Sequence, residues 1–165
     1  MENLNPKTVA LLNERIKEEQ FSSQLYKSMA VALNFYGFAG AAKLWEKYSQ
    51  EELKHMEWAY EFLLDCDYLP EVPQLEKPKA FKGDLIQVIN DSYLHEQKIT
   101  ASCKNLAHVA QEVGDCLTFT LALKYVAEQR EELQKTKYWL DRIEAFGNSK
   151  EALRLLDNEM YELAE

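Results

Sequence analysis

Glycine, proline and cysteine are scarce in this sequence of 165 residues, which contains 5, 4 and 3 of them respectively. The cysteines Cys66, Cys103 and Cys116 are scattered and form no CxxC pair, which excludes a zinc knuckle or a thioredoxin-type motif. We expect three reduced thiols and a cytoplasmic location. No apolar run approaches the ~20 residues that cross a bilayer, and residues 1–8 lack a secretory pattern. We therefore expect no membrane partner.

Basic residues are also in the minority, since 19 Lys and Arg face 28 Asp and Glu and leave a net charge of −9. Such a chain is a poor match for a phosphate backbone, so we expect no nucleic-acid partner. Hydrophobic residues make up 47% of the sequence, which is too many for a disordered chain. The length suits a single domain over residues 1–165.

The stretches between the glycines and prolines are long and rich in Ala, Leu, Glu, Lys and Gln, which favour helix. No alternating pattern of a β-strand competes with them. The first four stretches have heptad-like apolar spacing. We therefore predict an all-α four-helix bundle followed by a short fifth C-terminal helix. The predicted helices cover about 6–36, 39–66, 84–112, 117–146 and 149–163.

The connections predict how the bundle is wired. Short links at Gly37–Gly40 and at Gly114 make antiparallel hairpins of the first two and the next two helices. Residues 67–83 contain three prolines, too many for helix. This segment is long enough to run the ~40 Å length of a neighbouring helix. It therefore predicts a long crossover between the second and third helices.

Four glutamates stand out because each lies halfway along one helix, among apolar residues of the same face. A single buried unpaired charge is costly, and four at matching depth would also repel each other. A bound multivalent cation removes this cost through coordination. We therefore predict a metal site from Glu19, Glu52, Glu96 and Glu132.

The spacing of neighbouring residues supports a site for iron. Glu52 and His55 are three residues apart, so both side chains can reach one point. Di-iron carboxylate bundles use one glutamate from each of two helices and a Glu-x-x-His pair from each of the other two. Here the second pair is Gln129 and Glu132. The oxygen-rich set of donors suits iron.

We infer two metal positions of unequal strength. The first is nearly complete and consists of Glu19, Glu52 and His55. The second shares Glu52 as a bridge, adds Glu96 and Glu132, and lacks a histidine. We expect the second position to bind metal more loosely.

Four segments resemble those of the non-haem bacterial ferritins, and the likeness covers nearly the whole chain. They are EEQFSSQLY (18–26), QEELKH (50–55), LHEQ (94–97) and AEQREE (127–132). The resemblance implies a ferritin-like fold and a ferroxidase centre at the two positions above. It also implies roles for Tyr26 and Gln129 beside the centre and a third, outlying iron site at Glu51, Glu128 and Glu131.

The implied function is iron storage, with oxidation of Fe²⁺ by O₂ or H₂O₂ and deposition of the mineral inside a shell of twenty-four subunits. We expect no haem, because bacterioferritins bind it through a methionine at the position of Leu53. Two alternatives stay open. One is a ferritin-like di-iron oxidase or peroxidase without a shell, and the other is a metal-free helical interaction protein.

Overall fold

The computed structural model describes residues 4–165, which form five α-helices and no strand. The helices are α1 (Pro6–Phe35), α2 (Ala39–Asp65), α3 (Leu85–Glu112), α4 (Cys116–Phe146) and α5 (Lys150–Leu163). The predicted four-helix bundle with a short fifth helix is therefore confirmed. None of these described helices is long and apolar enough to cross a membrane.

Side-chain caps mark the starts of α1, α3, α4 and α5, whereas α2 begins without one. Asn5 precedes Pro6 and accepts a hydrogen bond from the backbone N–H of Lys7 at 3.0 Å. Asp84 caps α3 in the same way, and Ser149 caps α5 by accepting from the N–H of Ala152 at 3.1 Å. Such caps satisfy N–H groups that have no partner inside the helix.

The segment 66–84 between α2 and α3 crosses from one end of the bundle to the other. Near its start, the hydroxyl of Tyr68 donates to the carbonyl oxygen of Leu4, just before α1, at 3.1 Å. Near its end, Gly83 lies against the ring of Tyr36, just after α1, where an added Cβ would come within 1.9 Å of a ring carbon. The crossover therefore runs the length of α1, as the proline-rich segment predicts.

The apolar core is divided into two clusters, one toward each end of the bundle. One contains Trp45, Trp139 and Leu33, and the fifth helix adds Leu156 and Met160 to it. The other is built from α1 to α4 and the residues just before α1, and it includes Leu4, Leu12, Ile16, Leu63 and Tyr125. The four glutamates predicted to bind metal lie in sequence between the residues of these two clusters. The two clusters thus hold the helices on both sides of a polar layer.

Asp115 links the start of α4 to the start of α1. Its carboxylate accepts hydrogen bonds from the backbone N–H and the hydroxyl of Thr118, at 3.0 and 2.9 Å, and from the hydroxyl of Thr8 at 2.5 Å. Partial burial alone would raise the pKa of Asp115, but these hydrogen bonds outweigh it and lower the pKa. The ionised carboxylate is therefore the form that stabilises the fold.

We expect Asp115→Ala to lower the free energy of unfolding by about 1–2 kcal/mol at neutral pH, because a cap and a link between helices are lost. Because the native pKa is depressed, this stabilisation is complete above the pKa of the unfolded chain. It is lost as the pH falls through the native pKa. Urea unfolding of wild type and variant at neutral and at acidic pH measures the difference.

The matched control is Asp84→Ala, which removes the cap of α3, where the hydrogen bonds reach only Ile86 and Gln87. It should cost less than Asp115→Ala. Equal losses in the two variants would contradict the link to α1. A loss in Asp115→Ala that stays constant to acidic pH would contradict the role of the ionised carboxylate.

Candidate metal centre

The four glutamates of the predicted centre are all buried. Their exposed fractions are 0% for Glu19, 2% for Glu52, 1% for Glu96 and 4% for Glu132. One comes from each of α1, α2, α3 and α4, so the bundle delivers four carboxyl groups to its own interior. Burial on this scale is exceptional for glutamate and demands a compensating partner.

Glu19, Glu52 and His55 form the first compact group of candidate ligands. Each offers one ligand atom, and these atoms lie within 4.8 Å of one another. His55 Nδ1 lies 3.3 Å from Glu52 Oε2. The neighbouring Trp58 ring packs on the imidazole with 4.9 Å between centroids, and the Tyr125 hydroxyl donates to the His55 carbonyl at 2.6 Å. The histidine is thus held in place by packing and by its own backbone.

His55, Glu128 and Glu132 form a second group, whose candidate ligand atoms also lie within 4.8 Å of one another. His55 Nε2 is 3.4 Å from Glu128 Oε1, so the two ring nitrogens face different carboxylates. The sequence predicts Glu128 in a third, outlying site, whereas in the structure its carboxylate lies beside the histidine. Burial lowers the pKa of His55, which favours the neutral imidazole that binds metals.

The structure does not gather the rest of the predicted third site. Glu51 is half-buried and pairs with Lys135, while Glu131 is exposed to solvent. Within residues 4–165, neither of the two compact groups includes Glu51 or Glu131. The third site therefore stays a prediction.

Glu96 is held by the residues predicted to lie beside the centre. The buried hydroxyl of Tyr26 donates a hydrogen bond to Glu96 Oε1. Gln129 is also buried, and its Oε1 accepts a hydrogen bond from the hydroxyl of Thr100 at 3.0 Å. The single proton of this hydroxyl is shared with the backbone carbonyl of Glu96, at 2.8 Å. Tyr26 and Thr100 therefore fix the side chains of Glu96 and Gln129 on the facing helices.

Without a cation, the pKa values of three of the four glutamates are raised. Burial, together with the charges of Glu19 and Glu96, raises the pKa of Glu52 well above its usual range. Burial also raises the pKa of Glu96 to about 8, against the hydrogen bond from Tyr26. For Glu132, burial raises the pKa to about 7 despite a neighbouring lysine. Desolvation and mutual repulsion push all three toward protonation, and a bound cation reverses that preference.

Among residues 4–165, three carboxylate oxygens at the centre accept no hydrogen bond. They are both oxygens of Glu19 and Oε2 of Glu96. Buried polar atoms nearly always have a partner, so these three oxygens require an explanation. Glu19 Oε1 lies 3.2 Å from Arg15 Nε as an ion pair, and all three oxygens keep lone pairs that a metal ion can use. Carboxylate oxygens with one imidazole are a donor set that fits iron.

Sequence reasoning missed two cationic side chains that flank the glutamates. Arg15 is buried on α1, with its Nε 3.2 Å from Glu19 Oε1 and its Nη1 2.8 Å from Cys103 Sγ. Lys135 lies on α4, with its Nζ 2.8 Å from Glu132 Oε1. Both cations stand three or four residues from the glutamate they contact. That helical spacing was a signal in the sequence that could have found them.

Residues 9–146 match the family model of the ferritin-like domain. The chain belongs to the ferritin family. It is 35% identical over 157 residues to the bacterial non-heme ferritin of Escherichia coli O157:H7, with 95% of each chain covered. A probable bacterial non-heme ferritin-like protein of Haemophilus influenzae is 30% identical over 161 residues, with 98% of each chain covered.

The fold is also that of solved ferritins. An open pore ferritin of the archaeon Archaeoglobus fulgidus superposes on this ferritin chain with a TM-score of 0.92 and 28% sequence identity. The match covers 96% of this chain and 98% of the other. The resemblance predicted from four short segments is therefore confirmed for the family and for the fold.

Proposed function

We propose that this ferritin stores iron: it binds Fe²⁺ as a substrate at the buried centre, oxidises it to Fe³⁺ and deposits it inside an oligomeric shell. The observation that carries the proposal is the compact, buried group of Glu19, Glu52 and His55 within a bundle of the ferritin family. The names of its relatives, bacterial non-heme ferritins, point to the same function.

In the proposed mechanism, two Fe²⁺ ions bind on either side of Glu52. Glu19 and His55 complete the first position, and Glu96 and Glu132 complete the second. Each ion loses one electron. One O₂ then takes up two electrons and two protons to give H₂O₂, or one H₂O₂ takes up the same number to give two water molecules. The bridging carboxylate keeps the two ions paired for this two-electron step.

Tyr26 and Gln129 are the proposed auxiliary residues of the reaction. Tyr26 keeps Glu96 oriented toward the second position through its hydrogen bond. Gln129 stands on α4 one turn before Glu132 and contributes an amide where di-iron enzymes of this fold have a glutamate.

Oxidised iron leaves, in this proposal, by the side of Glu132, where the group of candidate ligands has two glutamates and one histidine, His55. Glu132 and Glu128 lie on that side with half-buried Glu51 next to them, and Glu131 on the same helix reaches solvent. Carboxylates without a second histidine hold the ion less firmly than a permanent cofactor site. A storage protein requires that property because it must release its metal.

We expect Glu52→Ala to abolish the fast phase of iron oxidation, because it removes the ligand shared by both ions. A loss of at least 100-fold in the initial rate corresponds to roughly 2.7 kcal/mol of transition-state stabilisation. The measurement is the growth of near-ultraviolet ferric absorbance after Fe²⁺ is mixed with the protein in air.

The matched control is Glu57→Ala, which removes an exposed carboxylate from the same helix. It should leave the initial rate unchanged, since Glu57 belongs to neither group of candidate ligands. An unchanged rate in Glu52→Ala would overturn the assignment of the centre. An equal loss in both variants would show that surface charge on α2, rather than the bridge, controls the rate.

The shell distinguishes storage from a di-iron oxidase or peroxidase that acts as a small oligomer. We expect light scattering of the purified protein to give a particle of about twenty-four times the subunit mass of 19.2 kDa. We also expect aerobic loading to leave far more iron in each particle than its di-iron centres can hold. A dimer that oxidises Fe²⁺ but retains only stoichiometric iron would contradict storage and support the alternative.

A further inference from the structure

Lys135 contacts two of the proposed iron ligands, Glu132 and Glu51. We call the side of the centre at Glu132 the outer side, and the side at Glu19 the inner side. The Nζ of Lys135 lies 2.8 Å from Glu132 Oε1 and 3.1 Å from Glu51 Oε2. The two carboxylates belong to different helices, α4 and α2. The ammonium group therefore sits between carboxylates of two helices, where a metal ion bound to both would also have to lie.

Glu132 also belongs to the second group of candidate ligands. Glu132 lies within 4.8 Å of the ligand atoms of His55 and Glu128, and it cannot give its full charge to a metal ion and to Lys135 at once. Two cations that share one carboxylate also repel each other. Binding of metal on this side of the centre is thus in direct competition with the lysine.

The ammonium group of Lys135 can move into solvent, whereas the carboxylate of Glu132 is buried. The side chain of Lys135 is 35% exposed, while that of Glu132 is only 5% exposed. A lysine at such a boundary can move its ammonium group into water with its aliphatic stem still packed against the protein. The ring of Tyr48, with its centroid 5.9 Å from Nζ, borders the same position.

Arg15, the other cationic side chain at the centre, is buried, unlike the partly exposed Lys135. It is 1% exposed, and besides Glu19 it contacts the Glu18 carboxylate, the Cys103 thiol and the Ile99 carbonyl. Its guanidinium is buried among these partners. The inner side of the centre therefore keeps its cation, and the outer side has one that can be displaced.

We propose that Lys135 is a displaceable internal cation, which neutralises Glu132 and Glu51 in the metal-free protein and lowers the affinity of the outer side of the centre for metal. Lys135 is a positioning residue that acts through these two carboxylates. The inference rests on the proposed function and deepens it. It supplies a physical reason for the weaker outer binding proposed above, since the ammonium group returns to Glu132 and Glu51 when the ion leaves.

Anaerobic calorimetric titration with Co²⁺, which needs no oxidant, tests this role in wild type, Lys135→Met and Lys135→Arg. We expect the wild type to bind one ion tightly and further metal more weakly. Lys135→Met should tighten the weaker binding about tenfold and leave the tight ion unchanged, since it removes two partly exposed ion pairs, with Glu132 and with Glu51. Lys135→Arg keeps the positive charge and should stay close to the wild type.

Lys137→Met is the matched control on the same helix. Lys137 is exposed and pairs with Asp141 at 2.5 Å, so its loss changes the net charge equally without touching the centre. It should leave both affinities unchanged. Thermal unfolding of the metal-free variants establishes that each is folded, and Lys135→Gln provides a second uncharged variant.

The outcomes separate the inference from the proposed function. A wild type that binds tight and weak Co²⁺, with the same affinities in Lys135→Met and Lys135→Gln, overturns the role of Lys135 alone. Equal tightening of both ions, or tightening in Lys137→Met as well, overturns it too, because the effect is then general electrostatics. A wild type that binds no Co²⁺ contradicts the proposed function and the inference together.

Discussion

Mutual repulsion among four buried carboxyl groups is the constraint on which the rest of this structure depends. Each helix of the bundle contributes one of them, and none of the four is more than 4% exposed. Without a cation, burial and repulsion raise the pKa values of Glu52, Glu96 and Glu132. The middle of the bundle therefore favours binding of a cation, because a bound cation offsets the desolvation and the mutual repulsion of the carboxylates.

The two apolar clusters make this arrangement possible. They lie toward opposite ends of the bundle and contain its largest buried side chains, among them Trp45, Trp139 and Tyr125. Their packing stabilises the fold well enough for a costly polar layer to be retained between them. Arg15 and Lys135 then offset part of the negative charge, one permanently and one in exchange for metal. Stability and affinity for metal are thus set by different parts of the same four helices.

Much of this could be predicted from the sequence. Helical composition, heptad spacing and the scarcity of glycine and proline define the bundle, and the three prolines between α2 and α3 predict the crossover. The four central glutamates and His55 follow from their place on apolar faces. These features are local or periodic, so they can be recognised in the amino-acid sequence alone.

The remainder depends on contacts between helices, which no spacing reveals. The position of Glu128 beside His55 depends on the rotation of α4 relative to α2. The bridge from Lys135 to Glu51 joins residues 84 positions apart. The spacing of Arg15 and Glu19 indicates their ion pair, but only the packed bundle shows that Cys103 of α3 also contacts the guanidinium and that Arg15 is buried.

Anaerobic titration of the wild-type protein with Fe²⁺ measures the number and the affinities of the ions that the centre binds. If the four carboxylates and His55 form one centre with a firm inner side and a weaker outer side, each subunit binds two ions with distinctly different affinities. Two equally tight ions that do not exchange, or no bound Fe²⁺, would contradict this account.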